Sequence, residues 1–275
     1  PFDLKSLGKI INNSITFHNT KTKLCGILNI TPDSFSDGGM YFDSDKAIQK
    51  LNELIMDGSD MIDIGAESTR PNSDEVEPCE QIRRLKPVLE FIQKENISIP
   101  ISVDTRSSKV ADFALNNGAK IINDVSGFDF DKIMPEIISK YKAGVIIQHS
   151  QGNPKNMQNK PEYKNVVEEI YFALKGKSEL AKEKGITKII IDPGIGFGKT
   201  KEHNFEILDR IEEFYSLDLP IMVGVSRKSL LGIDSNDNNL KDSLSAAISY
   251  PLCIKGVDYL RVHNVKLHKQ MLKIV

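Results

Sequence analysis

Residues 47–64, AIQKLNELIMDGSDMIDI, contain a helical pattern followed directly by a short apolar run. Ala47, Leu51 and Leu54 recur at the three- and four-residue spacing of one helical face, and Gly58 is placed to end that helix. The run Met61–Ile64 has the length of a buried strand. A helix that leads into a buried strand is typical of parallel strands joined by helical crossovers.

The same alternation extends over the chain in both directions. Eight apolar runs are candidate strands, at Leu24–Ile30, Met61–Ile64, Ile99–Val103, Lys120–Ile122, Gly144–Ile147, Lys188–Ile191, Ile221–Val225 and Tyr259–Val262. Eight strands separated by helices predict a (β/α)8 TIM barrel, and an open doubly wound sheet is the main alternative. A weakly alternating segment, Gly8–Phe17, predicts a short β-hairpin ahead of the barrel.

The chain length agrees with this fold. A barrel typically needs roughly 250 residues, and the chain has 275. No linker, low-complexity tract or internal repeat divides the sequence. We therefore expect residues 1–275 to form one domain.

Composition excludes several classes of function. With 36 basic and 38 acidic residues, the chain has no net field to hold nucleic acid or an anionic membrane surface. No apolar run approaches the ~20 residues of a membrane span. Cys25, Cys79 and Cys253 are far apart, which argues against a zinc ribbon or a disulfide framework and fits a cytoplasmic protein. Any anion must be bound locally.

Polar side chains gather where the predicted strands end. They are Asn29, Glu67, Asp104, Asn123, His149, Asp192, Ser226 with Arg227 and Lys228, and Arg261 with His263. In a barrel these ends share one rim, where catalytic residues lie. Such residues are common wherever a strand meets a turn, but eight successive strand ends favour a site. The mixture of cations and carboxylates suits a substrate with an anionic end and a hydrogen-bonding heterocycle.

The segment Gly194–Thr200, GIGFGKT, superficially resembles a phosphate-binding loop. A Walker A loop needs glycine where this chain has Pro193, and a dinucleotide fingerprint needs glycine where it has Lys199. Both motifs are excluded. The glycines either let the backbone pass close to a ligand or form a flexible loop.

Two longer segments resemble the signatures of a known family. Residues 26–39, GILNITPDSFSDGG, and 63–71, DIGAESTRP, are similar to the first and second signatures of dihydropteroate synthases. The resemblance continues through Asp104–Arg106, Ile122–Gly127, Asp192–Lys199, Ser226–Ser229 and Arg261–His263. It implies a TIM barrel that condenses (7,8-dihydropterin-6-yl)methyl diphosphate with 4-aminobenzoate, giving 7,8-dihydropteroate and pyrophosphate in folate biosynthesis.

The resemblance also implies roles for individual residues. The pterin-binding set is Asp104, Asn123, Asp192 and Lys228. The diphosphate is expected at Thr69, Arg70, Arg261 and His263, with Val262 included among the substrate-binding residues. The 4-aminobenzoate is expected beside Phe35, Pro71, Phe197, Lys228 and Ser229, with its carboxylate at Ser229 and the start of the following helix. Asn29 would help to hold Mg²⁺ with phosphate oxygens and water.

The implied reaction is a dissociative displacement of diphosphate. The bond from the pterin methylene carbon to the leaving oxygen loosens before the aromatic amine attacks. Five residues are expected to be catalytic: Asp104, Lys228, Arg70, Arg261 and His263. The family further implies a homodimer and inhibition by sulfonamides. Gln148–Ser150 and Asn264 depart from its common pattern, which often has a methionine-flanked histidine and an aspartate there.

Two alternative functions remain open at this point. A methyltetrahydrofolate-dependent methyltransferase would use a similar pterin pocket, but it would need no grip on a diphosphate. A non-catalytic pterin-binding barrel would bind without turnover. Release of pyrophosphate separates the synthase from both.

Overall fold

Strands and helices alternate along the part of the chain that the computed structural model describes, which is residues 22–31, 44–68, 73–152, 157, 161–233 and 237–275. The strands are β1 (Lys23–Asn29), β2 (Met61–Gly65), β3 (Ile101–Asp104), β4 (Ile121–Asp124), β5 (Gly144–Gln148), β6 (Ile189–Asp192), β7 (Met222–Val223) and β8 (Tyr259–Val262). The predicted hairpin at Gly8–Phe17 lies outside the described residues.

One α-helix follows each strand within these ranges. The helices are α1 (Ser44–Met56), α2 (Pro78–Lys94), α3 (Ser108–Asn116), α4 (Met134–Lys140), α5 (Val166–Glu183), α6 (Lys201–Asp209), α7 (Asn238–Ile254) and α8 (Val265–Met271). Short 3-10 segments at Ile211–Leu217 and Ser229–Leu231 flank β7. No helix of the described residues is both long enough and apolar enough to cross a bilayer.

The strands form one parallel sheet that closes on itself. Their order is β6-β5-β4-β3-β2-β1-β8-β7. The two end strands meet through a parallel bridge between Ile191 and Ile221, and the Ile191 amide donates to the Pro220 carbonyl at 2.9 Å. This closure confirms the predicted (β/α)8 barrel, and the open-sheet alternative is wrong.

Two strands are shorter than their apolar runs, for local reasons. The run from Ile99 enters the sheet only at Ile101, because Pro100 has no amide hydrogen and only its carbonyl takes part, accepting from Ile62. The run from Ile221 yields a strand of two residues. Its first amide donates to the Asp258 carboxylate at 2.8 Å instead of to a neighbouring strand.

The barrel interior is apolar at its lower end. Cys25, Met61, Ile146 and Met222 pack together there as fully buried side chains. Cys25 is a core thiol, and burial raises the pKa of this thiol well above its usual value. All three cysteines are free, as expected in the absence of a disulfide framework. The apolar floor confines polar chemistry to the upper end of the barrel.

Gly26 allows two helices to approach β1. A Cβ atom at Gly26 would lie 2.7 Å from Ser59 Oγ and 3.2 Å from methyl groups of Leu54 and Val265. Gly176 is different, because a Cβ atom there would meet nothing within 4 Å, and it lies inside α5. One glycine is therefore required by packing and the other is not.

We expect opposite effects of alanine at these two glycines. Gly26→Ala should lower the free energy of unfolding by about 1–3 kcal/mol, because it overpacks the contact between the strand and the helices. Gly176→Ala should raise it by about 0.5–1 kcal/mol through better helix propensity. Urea denaturation followed by circular dichroism measures both. Equal stability of Gly26→Ala and the wild type would contradict the close packing.

Candidate active site

The polar strand ends predicted to form a site do meet in one layer of the barrel. Asp104 on β3 is in register with Gly65 on β2 and with Asn123 on β4, and Asp192 on β6 is in register with Gln148 on β5. Asp104, Asn123 and Asp192 are 7%, 2% and 3% exposed. Carboxylates at this depth need partners or a ligand.

Arg261 balances two of the buried carboxylates. Its Nε donates to Asp63 Oδ2 at 2.7 Å, and its Nη2 donates to Asp104 Oδ2 at 3.0 Å. Asn123 Nδ2 also donates to Asp63 Oδ2, at 2.8 Å. One hydrogen-bonded network therefore joins β2, β3, β4 and β8 across the interior, and two of the guanidinium nitrogens of Arg261 are turned toward carboxylates.

Asp63 is a site residue that the sequence patterns did not indicate, although it lies in the second signature. Its side chain is fully buried, and its Oδ1 has no hydrogen-bond partner within the described part of the chain; the same is true of Asn123 Oδ1. The signal in the sequence is a charged residue in the middle of the apolar run Met61–Ile64. Two unpaired buried acceptors favour a ligand that carries N–H donors.

Burial controls the protonation of the carboxylates. It raises the pKa of Asp104 to about 7, opposed by Arg261 and reinforced by the negative charges of Asp63 and Glu67. Burial also raises the pKa of Asp192, with Lys228 acting in the opposite direction. The Gly194 amide donates to Asp192 Oδ1 at 2.7 Å and so fixes the orientation of that carboxylate.

Lys228 joins the loops after β6 and β7. Its Nζ donates to the Ile195 carbonyl and lies 4.7 Å from the centroid of the Phe197 ring. Burial lowers the pKa of Lys228 to about 8, although the Asp192 carboxylate raises it. An ammonium group thus lies beside an aromatic ring and within the electrostatic influence of a carboxylate.

The glycine-rich loop after β6 is held by a second buried lysine. Lys199 Nζ donates to the carbonyls of Gly194 and Phe197, both at 2.9 Å, and lies 3.1 Å from His149 Nδ1. Burial, reinforced by the Lys199 charge, lowers the pKa of His149 to about 2, so its ring accepts this hydrogen bond. The hypothesis of a flexible loop is not supported.

The first glycine of this loop is required because the backbone of the loop passes close to the backbone at the end of β5. Gly194 has φ +72°, and a Cβ atom there would overlap the carbonyl oxygen of His149. The backbone of the loop therefore packs against the end of β5. The rejection of a Walker A motif agrees with this geometry, because Lys199 points into the protein.

A hydroxyl group orients His263. The His263 amide donates to Ser226 Oγ at 3.2 Å, and Ser226 Oγ lies 2.9 Å from His263 Nδ1. A hydroxyl that accepts from the amide can donate its own hydrogen to Nδ1. We assign the ring proton of neutral His263 to Nε2 on this basis, which makes Nε2–H a hydrogen-bond donor.

Arg227 anchors the same loop to α7. It adopts φ +57°, and its Nε and Nη2 make a bidentate ion pair with Asp242 at 2.7 and 2.8 Å. Asn264 Nδ2 also donates to Asp242, at 3.1 Å. The Asp242 carboxylate therefore links the ends of β7 and β8, and the unusual Asn264 supplies a donor in this link.

Two predicted positions differ in placement from what the resemblance implied. The Val262 side chain lies in the core between β8 and the helices, so only its backbone can face the site. Ser229 begins a 3-10 segment of three residues, and the long helix α7 begins at Asn238, so a full helix dipole does not act at Ser229. Glu67, another of the predicted strand-end residues, forms an ion pair within the protein, in which Arg106 Nη2 donates to Glu67 Oε1 at 3.1 Å.

Asn29 lies on the rim with one amide oxygen that could bind Mg²⁺. A Cβ atom on Gly65 would lie 3.5 Å from Asn29 Oδ1 and 3.6 Å from Asp104 Cβ, so these two side chains are neighbours on the rim. Within the described ranges, no group of three His, Cys, Asp or Glu side chains could hold a metal. A single amide oxygen fits Mg²⁺ that takes its other ligands from phosphate and water.

The remaining predicted site residues, Phe35, Thr69, Arg70 and Pro71, lie outside the described residues. A cleft of about 310 Å³ opens on the same rim, and its lining includes Arg106, Met157 and Phe197. The described residues therefore contain all of the expected pterin-binding set and half of the expected diphosphate set.

Comparisons with known proteins agree with this fold. Residues 25–263 match the family described as pterin binding enzyme. The chain is 40% identical to the dihydropteroate synthase of Clostridium beijerinckii over 250 residues, which cover 89% of this chain and 90% of that protein.

Two solved structures are similar over most of their length. A dihydropteroate synthase from Clostridium difficile, crystallised in the presence of pteroic acid, is 39% identical with a TM-score of 0.85 and coverage of 92% and 95%. A Yersinia pestis dihydropteroate synthase in complex with a sulfonamide drug is 35% identical, also with a TM-score of 0.85, and the match covers 92% of each chain.

The parallel barrel with buried carboxylates at its rim defines a pterin-binding enzyme fold. Within that class, the chain belongs to the dihydropteroate synthase family.

The pKa values of Asp104 and Lys228 predict how binding depends on pH. Dihydropterin affinity should fall below about pH 7 as Asp104 becomes protonated, and above about pH 8 as Lys228 loses its proton. Calorimetric titration at a series of pH values measures this bell-shaped profile. Asp104→Asn should bind more weakly and lose the acidic limb while it keeps the alkaline limb. If the affinity of that variant still fell at low pH as in the wild type, the fall would be due to a group other than Asp104.

Proposed function

We propose that this chain condenses (7,8-dihydropterin-6-yl)methyl diphosphate with 4-aminobenzoate to give 7,8-dihydropteroate and pyrophosphate. The observation that carries the proposal is the buried layer formed by Asp104, Asn123 and Asp192 beside Lys228, in a chain of the dihydropteroate synthase family. The arrangement suits a flat heterocycle with both donors and acceptors along its edge.

The pterin ring matches this layer in hydrogen-bonding capacity. Its ring N–H and amino groups are donors that suit the carboxylates of Asp104 and Asp192 and the unpaired Asn123 Oδ1. Its oxo group and ring nitrogens are acceptors that suit the Lys228 ammonium group. Most of the polar groups of this layer would thereby be satisfied by one ligand.

The diphosphate end is assigned to the rim above Arg261. In the tautomer that Ser226 favours, His263 Nε2–H is a hydrogen-bond donor, and Arg70 would add a bidentate donor. Positive charge at this end stabilises the departing diphosphate. Mg²⁺, when bound through Asn29 and phosphate oxygens, would supply further positive charge there.

The bond from the pterin methylene carbon to diphosphate oxygen breaks ahead of attack by the amine. Positive charge then spreads into the dihydropterin, where the Asp104 and Asp192 carboxylates lie in a buried environment. Because these carboxylates are fixed by Arg261 and by the Gly194 amide, they stabilise that charge without reorganising. No covalent intermediate with the protein is required.

The second substrate is assigned to the rim beside Phe197. The Phe197 ring is half-buried against Lys228, and Ser229 is exposed at the start of the following 3-10 segment. An aromatic ring can pack on Phe197 while its carboxylate accepts hydrogen bonds from Ser229. We also propose, from the family resemblance, that Phe35 and Pro71 complete this pocket, that the protein is a homodimer and that it acts in the cytoplasm.

The experiment that tests the proposal is a turnover assay with both substrates and Mg²⁺, in which pyrophosphate is measured. Release should require 4-aminobenzoate and should fall when the metal is chelated. Asp104→Asn should lower kcat/KM by roughly 10- to 100-fold, because a charged hydrogen-bond acceptor is lost. Asp112→Asn is the matched control, since Asp112 is paired with Lys140 on the outer surface.

Folded wild-type protein that released no pyrophosphate would refute the synthase function. Transfer of a methyl group from methyltetrahydrofolate would then support the methyltransferase alternative, whereas pterin binding without either reaction would support a binding protein.

We expect sulfonamides to compete with 4-aminobenzoate, because these drugs combine an aniline ring with an acidic group of similar position. The measurement is inhibition by a simple sulfonamide at several 4-aminobenzoate concentrations. The apparent potency should fall as that substrate rises. Potency that does not depend on 4-aminobenzoate would refute a shared site.

A further inference from the structure

Gln148 is a buried amide at the end of β5 that none of the roles described above uses. Its side chain is 4% exposed. It follows Ile146 at the alternate position of the strand, and Ile146 belongs to the cluster inside the barrel. Gln148 therefore faces the barrel interior, in register with Asp192 on β6.

The amide nitrogen of Gln148 has no acceptor. Within the described ranges, Nε2 is buried without a hydrogen-bond partner. Gln81 provides a contrast in the same molecule, because it is equally buried and its Nε2 donates to the Val76 carbonyl at 2.8 Å while its Oε1 lies 3.2 Å from Thr105 Oγ1. A buried donor without an acceptor costs stability unless a ligand or water satisfies it.

We propose that Gln148 binds the pterin substrate by donating a hydrogen bond from Nε2 to the oxo group of the ring. This inference rests on the proposed function. Neighbouring strands lie about 4.8 Å apart, so side chains in register on β5 and β6 reach adjacent groups along the edge of one flat ring. In a pterin, the oxo acceptor lies next to the ring N–H that suits the Asp192 carboxylate.

The oxo group can accept this bond in addition to one from Lys228. A carbonyl oxygen has two lone pairs, and the two donors come from different strand ends, with Gln148 on β5 and Lys228 after β7. Together, Asp192 and Gln148 would then favour a ring that presents a donor and an acceptor side by side. A ligand that lacks this pair would leave the amide unsatisfied.

Gln148→Met tests the proposal, because methionine has nearly the same length and volume but no donor. The affinity for 6-hydroxymethyl-7,8-dihydropterin, measured by calorimetry, should fall roughly 3- to 10-fold through loss of a neutral hydrogen bond. The KM for 4-aminobenzoate should not change. The Tm of the ligand-free protein should rise, because an unpaired buried donor has been removed.

Two further glutamines serve as controls. Gln81→Met should lower the Tm, because both polar atoms of Gln81 have partners that would be left unpaired. Gln49→Met, on the exposed face of α1, should leave the Tm and the dihydropterin affinity unchanged.

Unchanged dihydropterin affinity in Gln148→Met would overturn the proposal. So would a lower Tm together with parallel losses for both substrates, which would assign Gln148 a structural role. A wild-type protein that binds no dihydropterin would instead overturn the proposed function, and this inference with it.

Discussion

The site depends on the charge balance around Arg261 inside the barrel. Asp63 and Asp104 are both buried, and Arg261 donates a hydrogen bond to each carboxylate from a separate nitrogen. Although burial alone would lower the pKa of Arg261, the two carboxylates raise it above its usual value. The guanidinium group thus stays charged, and it keeps Asp104 in position as a hydrogen-bond acceptor.

Buried hydrogen bonds and an ion pair fix the loops above this layer. Lys199 donates hydrogen bonds to carbonyl groups of the loop after β6. The ion pair of Arg227 with Asp242 fixes the loop after β7. Phe197 and Lys228 belong to these two loops and contact each other. The aromatic and cationic parts of the pocket are therefore placed by buried polar contacts that do not themselves face the substrate.

The sequence predicted those features that depend on local pattern. Apolar runs gave the strands, and polar residues at strand ends gave Asp104, Asn123 and Asp192. It did not predict contacts between distant segments. The role of Asp63 depends on Arg261, which lies far along the chain, and the role of Lys199 depends on carbonyl groups that only the folded loop brings together. The shape of the rim near Ser229 also depends on packing, which periodicity does not encode.

The closure between β6 and β7 affects the mechanical stability of the barrel. This junction has the shortest strand pairing in the described barrel, a single bridge between Ile191 and Ile221. Asp192 lies directly after one side of it and Lys228 beyond the other. A ligand ring that binds both residues would connect β6 and β7 across the junction with the fewest strand pairs. Ligand binding would then reinforce the barrel at the point where it is least able to hold itself closed.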